Sequence, residues 1–424
     1  MRVLFAVNPH KSVFQYLVPM AWALRTAGHE VRVASQPSFA DTITQAGLTA
    51  VPVGRRRNLD RPLEMLDPQV IADSRKGLPQ PWDVADDPSL ATWEHLLEGF
   101  TLATDSWREE NFPLVKDLVE FAQQWRPELV VWDPWTYAGA IAAKACGAAS
   151  ARMLFGADVF GVARAHFLRL KEQQPEGERA DPLAEWLGGY ARKYGGEFTE
   201  DMASGHFTID QFPRSLQAEA PGLSYERMQY VGYGGPAVVP DWLWKEPERP
   251  RVALTMGLSA TDVFGGYTID TQEVLDSLAD LDIELVATVA DSERAKLRRI
   301  PDNARLVPFV PMHVLAERCS AVIHHAGAAT LATFARHPVP HLSLHFHFDQ
   351  PYLARRLTAH GAGLDLHTGE VTGPLLRERL RRLLSEPSFT VRAADLRDEM
   401  LALPTPNQLV PRLEELTDIH RTAG

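Results

Sequence analysis

The residues best suited to chemistry cluster late in the chain. His324 and His325 stand directly before a run of small residues, Ala326-Gly327-Ala328-Ala329, that ends at Thr330. Further on, a carboxylate and an amide are adjacent as Asp349-Gln350. A small-residue turn lets backbone N–H groups approach an anion closely, and a carboxylate–amide pair can hydrogen-bond vicinal hydroxyls. Together they outline a phosphate-sized anion site beside a sugar site, the economy of a nucleotide-sugar pocket. The flanking sequence supplies elements to hold them. Ala321-Val322-Ile323 reads as a buried parallel strand and Leu331 to Ala335 as a helix. The turn therefore falls where backbone N–H groups and a positive dipole end converge. The unit repeats as a strand, Pro340 to Leu344, then Asp349-Gln350, then a helix from Pro351 to Leu357. A lone histidine is usually structural, and an Asp before a helix is often only its N-cap. The nearness of both to one predicted ligand edge favours binding roles for His325 and for Asp349-Gln350.

In open α/β sheets the ligand lies beyond the carboxyl ends of the strands, and other candidates sit at such ends. Val252 to Met256 runs into Gly257-Leu258-Ser259, where a small residue admits a ligand or simply turns the chain. The strand read from Ala304 to Val310 carries Phe309, which can stack on a base or equally belong to the core. In the first half, a strand from Arg2 to Val7 opens into the polar loop Asn8-Pro9-His10-Lys11-Ser12, and Glu128 to Trp132 opens into Asp133-Pro134. Asp-Pro pairs are also common turn formers. There is no GxGxxG after the first strand, no GxxxxGK[ST], no HExxH and no DxD-like pair. A dinucleotide cofactor, a P-loop ATPase and a catalytic metal are therefore unsupported.

The bulk composition is that of a soluble globular protein. At 424 residues, 45% hydrophobic and 23% charged, the chain has room for two ordinary domains. A net charge of -12 argues against nucleic acid or an anionic membrane as a main partner. Two cysteines, Cys146 and Cys319, lack metal or disulfide spacing and fit a reducing cytoplasm. No signal peptide and no 18-residue apolar span is legible, so the expected location is cytoplasmic. Strands and helices alternate from the start, which implies a parallel, doubly wound sheet. Residues 55–90, rich in Pro, Asp and Arg, interrupt that rhythm as a long excursion, and two helices, Leu90 to Trp107 and Leu114 to Trp125, follow it. His206 to Ile209 and Met228 to Tyr233 read as the last strands of the half. The proline-broken segment 234–251 reads as a linker, after which the βα rhythm restarts. The expected architecture is α/β, with two Rossmann-like parallel-sheet domains facing a cleft: residues 1–233, residues 252–405, and a C-terminal helix, 406–424, packing back on the first domain.

The chain resembles the actinomycete deoxysugar glycosyltransferases of antibiotic biosynthesis, the macrolide and anthracycline members of glycosyltransferase family 1 with the GT-B fold. The resemblance spans nearly the whole chain and rests on LVPMAWALRTAGHEVRVASQP (Leu17 to Pro37), WRPELVVWDP, HFTIDQFP, FVPMHVL and the HH-x-G-A-x-T turn followed by DQ. Members that attach L-mycarose-like sugars to macrolide lactones look nearest. The resemblance implies inverting transfer of a deoxyhexose from a dTDP-sugar, without a metal or other cofactor, to a hydroxyl of a hydrophobic polyketide aglycone. It implies diphosphate contacts from Ser12, Gly257, Ser259, His325 and the backbone of Ala326, Gly327, Ala328, Ala329 and Thr330. Phe309 and Val310 would pack on the nucleobase, Val310 with main-chain contacts, and Asp349 and Gln350 would meet the sugar. The acceptor would be shaped by variable loops at 55–90 and 156–180, which contain Met65, Leu66, Phe160 and Phe167. A cytochrome-P450-like activator protein and a homodimer are the macromolecular partners the resemblance suggests.

Two departures from the family pattern matter. The family's general-base histidine lies two residues after the position matching Lys11, and that position is Val13, which cannot take a proton. His10, in the same loop, and Asp133 become the candidate bases, and a binding homologue without turnover becomes the rival reading. The usual HHGGAGT turn has also exchanged two glycines for Ala326 and Ala329. Alanine tolerates φ > 0 poorly, so a tighter or shifted turn is expected.

Overall fold

The structure, a computed structural model, describes residues 1–55, 77–257 and 266–421. Among these residues thirteen strands form two wholly parallel sheets. The first contains β1 (Arg2–Ala6), β2 (Glu30–Ser35), β3 (Ala50–Pro52), β4 (Leu129–Trp132), β5 (Ala149–Met153), β6 (Phe207–Asp210) and β7 (Tyr225–Arg227), in the order β3-β2-β1-β4-β5-β6-β7. The second contains β8 (Arg251–Thr255), β9 (Glu284–Thr288), β10 (Ala304–Val307), β11 (Ala321–His324), β12 (His341–His345) and β13 (Gly363–His367), in the order β10-β9-β8-β11-β12-β13. The central strands are buried along their whole length, as in Leu129–Trp132 and Ala321–His324. That is the continuous burial that helices on both faces impose on a parallel sheet.

In each sheet the winding direction reverses once. The reversal falls between β1 and β4, where Ala6 lies opposite Trp132, and between β8 and β11, where Thr255 lies opposite His324. Loops leaving neighbouring strands on opposite faces open a crevice at such a point.

The helices that matter to the site are α1 (Lys11–Thr26), α2 (Trp93–Trp125), α3 (Tyr137–Cys146), α4 (Val159–Glu172), α5 (Pro182–Lys193), α6 (Ala328–Phe334), α7 (Gln350–His360) and α8 (Pro406–His420). The two helices expected between 90 and 125 are one, α2, which runs through Pro113. Its buried side, including Phe100, Trp107, Leu114 and Leu118, is continuous across the proline, so packing outweighs the missing N–H. The strand expected at Met228 to Tyr233 is displaced to Tyr225–Arg227, paired with β6. Among the described residues no helix is long and apolar enough to cross a membrane.

The core of the first sheet does not stop at its own layer. It continues into Leu331 of α6 and Leu353 and Leu357 of α7, which belong to the second unit. The last helix, α8, starts at a capping box on Thr405 and Gln408 and returns to the first unit. There Glu414 pairs with His29 at 2.9 Å, Arg421 with Glu128 at 2.7 Å, and His420 stacks on His206. Leu413 is the fully buried centre of this helix. Leu413→Ala is expected to lower unfolding free energy by about 2–5 kcal/mol, read as a reduced guanidinium midpoint with unchanged slope.

Candidate active site between the two sheets

The crevice of the second sheet is built around His325. It follows β11 directly, and its ring lies over the turn after β8: a Cβ added at Gly257 or at Gly327 would overlap the imidazole. Two glycines are thus required by the histidine, which is a firmer reason for them than turn geometry. The Nδ1 of His325 is buried and, among the described residues, has no hydrogen-bond partner. Burial draws its pKa down to about 4, against a backbone interaction with Thr255, so the ring is neutral at pH 7.

The other histidine of the pair is structural. His324 is fully buried, its Nδ1 accepts the Ala326 N–H at 3.0 Å, and its Nε2 lies 2.9 Å from Nδ1 of His341. An Nδ1 that accepts must be unprotonated, so the proton sits on Nε2 and points to His341. Burial lowers the pKa of His324 well below the ordinary histidine value and that of His341 to about 3. This neutral chain holds Ala326 at φ +61°. The alanine thus occupies the left-handed region, at a cost of order 1 kcal/mol, and the His324 bond secures it. Ala328, Ala329 and Thr330 form the first turn of α6, which begins at Ala328 rather than after Thr330.

Asp349 and Gln350 open α7, and their side chains do different work. Asp349 occupies the N-cap position of α7 but its carboxylate makes no cap bond. Instead Oδ2 accepts the Ala157 N–H of the first unit at 3.1 Å, and burial raises its pKa to about 6. The reading of this Asp as a simple cap is therefore set aside. The Gln350 carbonyl oxygen accepts from the Phe346 and His347 N–H groups, both at 3.2 Å. Between them Phe348 is held at φ +47°, and its ring meets Trp135 and Phe160 of the first unit at 6.1 and 5.9 Å. Asp86 and Arg355 form a further ion pair across the same boundary.

After β10, Phe309 is 48% exposed while Val310 is buried in the core with Val286, Leu315 and Phe334. The strand itself ends at Val307, short of both. Phe309 is thus free to stack on a planar ligand, whereas Val310 can offer a base only its main chain. Ser259 lies outside the described residues, as do Met65 and Leu66.

The crevice of the first sheet carries the two candidate bases. Asp133 is buried, and burial raises its pKa to about 6. Both of its oxygens are occupied: Oδ1 by the Trp135 N–H at 2.9 Å and Oδ2 by the Thr136 hydroxyl at 2.6 Å. Thr136 Oγ1 in turn accepts the Asn8 N–H at 3.0 Å. Asp133 therefore holds together the two loops at the switch point, which is the turn-forming role. His10 sits in the N-cap position of α1 with its ring half-buried, and burial lowers its pKa. Ser12 is exposed one residue inside the helix, and Val13 is buried in the core.

Behind this crevice lies a small cavity of about 60 Å³ lined by Trp82, Phe100, Trp107, Tyr137, Phe160 and Leu183, with Arg152, Arg164 and Glu200 also in its lining. Phe160 is its wall toward the cleft. Phe167, expected among acceptor-facing residues, is fully buried against Trp93 and Phe100 instead, and residues 159–172 are helix rather than loop.

Sequence reasoning missed the loop that answers Asp349. Asp158 is fully buried and bonds Arg152, Tyr225 and the Gly161 N–H, while its own N–H goes to Gln217. The signal was present as Asp158 ahead of an apolar helix, but nothing local foretells its Arg152 partner. Trp135, Phe155 and Phe348 were missed because only the fold brings them together. Among the described residues no group of three or more His, Cys, Asp or Glu is placed to hold a metal ion.

Known proteins are similar in both sequence and fold. Residues 22–257 match the N-terminal domain, and residues 272–416 the C-terminal domain, of the family described as erythromycin biosynthesis protein CIII-like. The 10-deoxymethynolide desosaminyltransferase of Streptomyces venezuelae is 45% identical over 99% of this chain and 98% of its own. The erythronolide mycarosyltransferase of Saccharopolyspora erythraea is 41% identical over 99% of this chain and its own full length. The expected special likeness to mycarose-attaching members is not upheld, since a desosamine transferase matches as well. The glycosyltransferase VinC, solved in complex with dTDP, superposes with a TM-score of 0.88 at 36% identity, covering 99% of this chain and all of its own. With both family domains matched over most of its length and the two-sheet architecture shared with a solved member, the chain belongs to the erythromycin biosynthesis protein CIII-like family of GT-B glycosyltransferases.

Proposed function

We propose that this glycosyltransferase moves a deoxyhexose, with inversion, from a dTDP-sugar to a hydroxyl of a macrolide-like polyketide aglycone in antibiotic biosynthesis. The observation that carries the reading is His325, held by two glycines at the β8/β11 switch point with a buried, unpartnered Nδ1. Relatives named for desosamine and mycarose transfer, and a solved neighbour holding dTDP, support the substrate classes. The aromatic cluster of Trp135, Phe155, Phe160 and Phe348 at the boundary between the units supports an apolar acceptor. Residues 252–405 bind the donor and residues 1–233 the acceptor, joined by 234–251, with 406–424 returning to the first unit. An activator protein of cytochrome-P450-like type and a homodimer belong to this reading on family resemblance alone.

His325, Gly257, Ser12 and the N–H groups of residues 326–330 hold the diphosphate, with Ser259 nearby. The Phe309 ring and the Val310 main chain receive the base. Asp349 exchanges the Ala157 N–H for a sugar hydroxyl, beside Gln350. His10 takes the acceptor proton as that oxygen attacks the anomeric carbon from the face opposite the diphosphate. The carbon–oxygen bond to the diphosphate breaks, and its growing negative charge is met by aligned N–H donors. His10 is preferred to Asp133 because burial leaves it neutral near pH 7 and its ring is uncommitted, whereas both oxygens of Asp133 are bonded.

The decisive experiment follows dTDP release from dTDP-deoxysugars in the presence of candidate aglycones. Measurable dTDP binding without release by any acceptor would favour the rival reading of a binding homologue, which Val13 motivates. His10→Ala is expected to lower kcat by roughly 10²–10⁴-fold. Asp133→Asn is expected instead to reduce stability by about 1–3 kcal/mol, because it disturbs a buried hydrogen-bond network. His325→Ala should weaken dTDP binding by roughly 10- to 100-fold, the worth of a charge-assisted hydrogen bond, in calorimetry. Since His10 works deprotonated and its pKa is lowered, the acid limb of kcat should lie below pH 6.5.

A further inference from the structure

We infer that Trp135 is the positioning residue for His10, setting the plane of its imidazole by edge contact in place of a hydrogen-bonded partner. The inference rests on the reading of His10 as the base.

A catalytic imidazole ordinarily has one nitrogen tied to a carboxylate or carbonyl, which fixes both tautomer and ring plane. His10 has no such tie. Its backbone is held on both sides, its N–H by the Asn8 carbonyl at 2.7 Å and its carbonyl by the Phe14 N–H at 2.9 Å. Among the described residues its ring nitrogens have no hydrogen-bond partner, and its ring contact is with Trp135, at 5.6 Å between centroids and 64° between planes. With the backbone fixed, only the side-chain torsions remain, and the indole sits where it limits them.

Trp135 is itself unusually constrained. Its N–H is held by Asp133 at 2.9 Å, and its carbonyl accepts side-chain amides from both Asn8 at 3.3 Å and Asn111 at 2.9 Å. Asn111 is fully buried in α2 and also receives the Ala138 N–H at the start of α3. The ring is buttressed by Phe155 at 4.9 Å and, from the second unit, by Phe348 at 6.1 Å. A half-buried indole inside such a frame is a rigid surface. The loop bearing His10 is tied to the same frame through Asn8 and Thr136.

Charged groups near this loop are otherwise engaged. Lys11 is exposed, Asp133 is bonded to Trp135 and Thr136, and Asp349 is bonded to Ala157. Burial is the resolved influence on His10, and the Trp135 face is part of it. Removing the indole should therefore both free the ring and hydrate it, moving its pKa up toward 6.5.

The test uses the full chain labelled with ¹³C-histidine, with His10→Ala to assign the His10 resonance and Trp135→Leu and Trp135→Phe as variants. In Trp135→Leu the His10 pKa should rise and its ring-current shift should collapse. The kcat for dTDP release should fall roughly 10- to 100-fold, the scale of a misplaced reacting group, with dTDP affinity unchanged. Trp135→Phe, which keeps an aromatic edge, should restore most of both signals. A loss of dTDP binding in Trp135→Leu would mark global damage, and the Phe variant then decides by its His10 titration. An unchanged His10 titration and acid limb in the variants overturns Trp135 as the positioning residue while leaving His10 as base. Normal turnover in His10→Ala overturns the base reading instead, and this inference with it.

Discussion

The reversal of strand order in each sheet is the constraint on which the site depends. Right-handed crossovers send successive helices to one face, so a loop pair diverges only where the order turns back. In the first sheet that point is β1/β4, with His10 on one loop and Asp133 and Trp135 on the other. In the second it is β8/β11, with Gly257 on one loop and His325 on the other. Each crevice thus owes its reacting groups to two strands far apart in sequence and adjacent through parallel hydrogen bonds. Because the core of the first sheet extends into Leu331, Leu353 and Leu357, the two crevices are pressed toward one another.

Buried polar bonds then fix what the sheets merely bring near. Asp133 joins its own loop to Asn8, His324 and His341 hold Ala326 in a left-handed conformation, and Asp158 anchors residues 156–158 through Arg152, Tyr225 and Gln217. Each bond contributes only about 0.5–1.5 kcal/mol net, but leaving its buried partner unpaired costs about 1–3 kcal/mol. The networks therefore act less as reservoirs of stability than as restrictions on alternatives. A loop with every buried donor satisfied in one arrangement has few others available.

What was legible in the sequence follows from this division. Apolar runs and helix-spaced residues declared the βα units, and the small residues after Ile323 declared the turn, since both are local signals. Asp349-Gln350 was legible as a polar pair at a helix start, yet not as a contact to Ala157, because that contact spans 192 positions. The single helix α2 was misread because Pro113 is a strong local breaker and the stripe that carries the helix past it is a tertiary fact. Phe167 was misassigned for the same reason: an apolar residue near a site looks alike whether it faces ligand or core. Trp135 carried no signal beyond its neighbour Asp133, since its importance lies in what the fold sets against it.

The bond from Ala157 to Asp349 connects these levels to function. A carboxylate this buried is costly to keep charged, which is why its pKa stands near 6. One backbone N–H offsets part of that cost, and among the described residues no cation is bonded to it. In the proposed reaction a sugar offering two hydroxyls in the same place would give the carboxylate more hydrogen bonds than one amide does. That proposed exchange would release Ala157 and one tie between the units, while Phe348 against Trp135 and Phe160 is a second tie. Under the proposed function, donor capture and the packing of the aromatic cluster meet at adjacent residues, Asp349 and Phe348. The strained φ of Phe348 is what lets neighbouring side chains serve both.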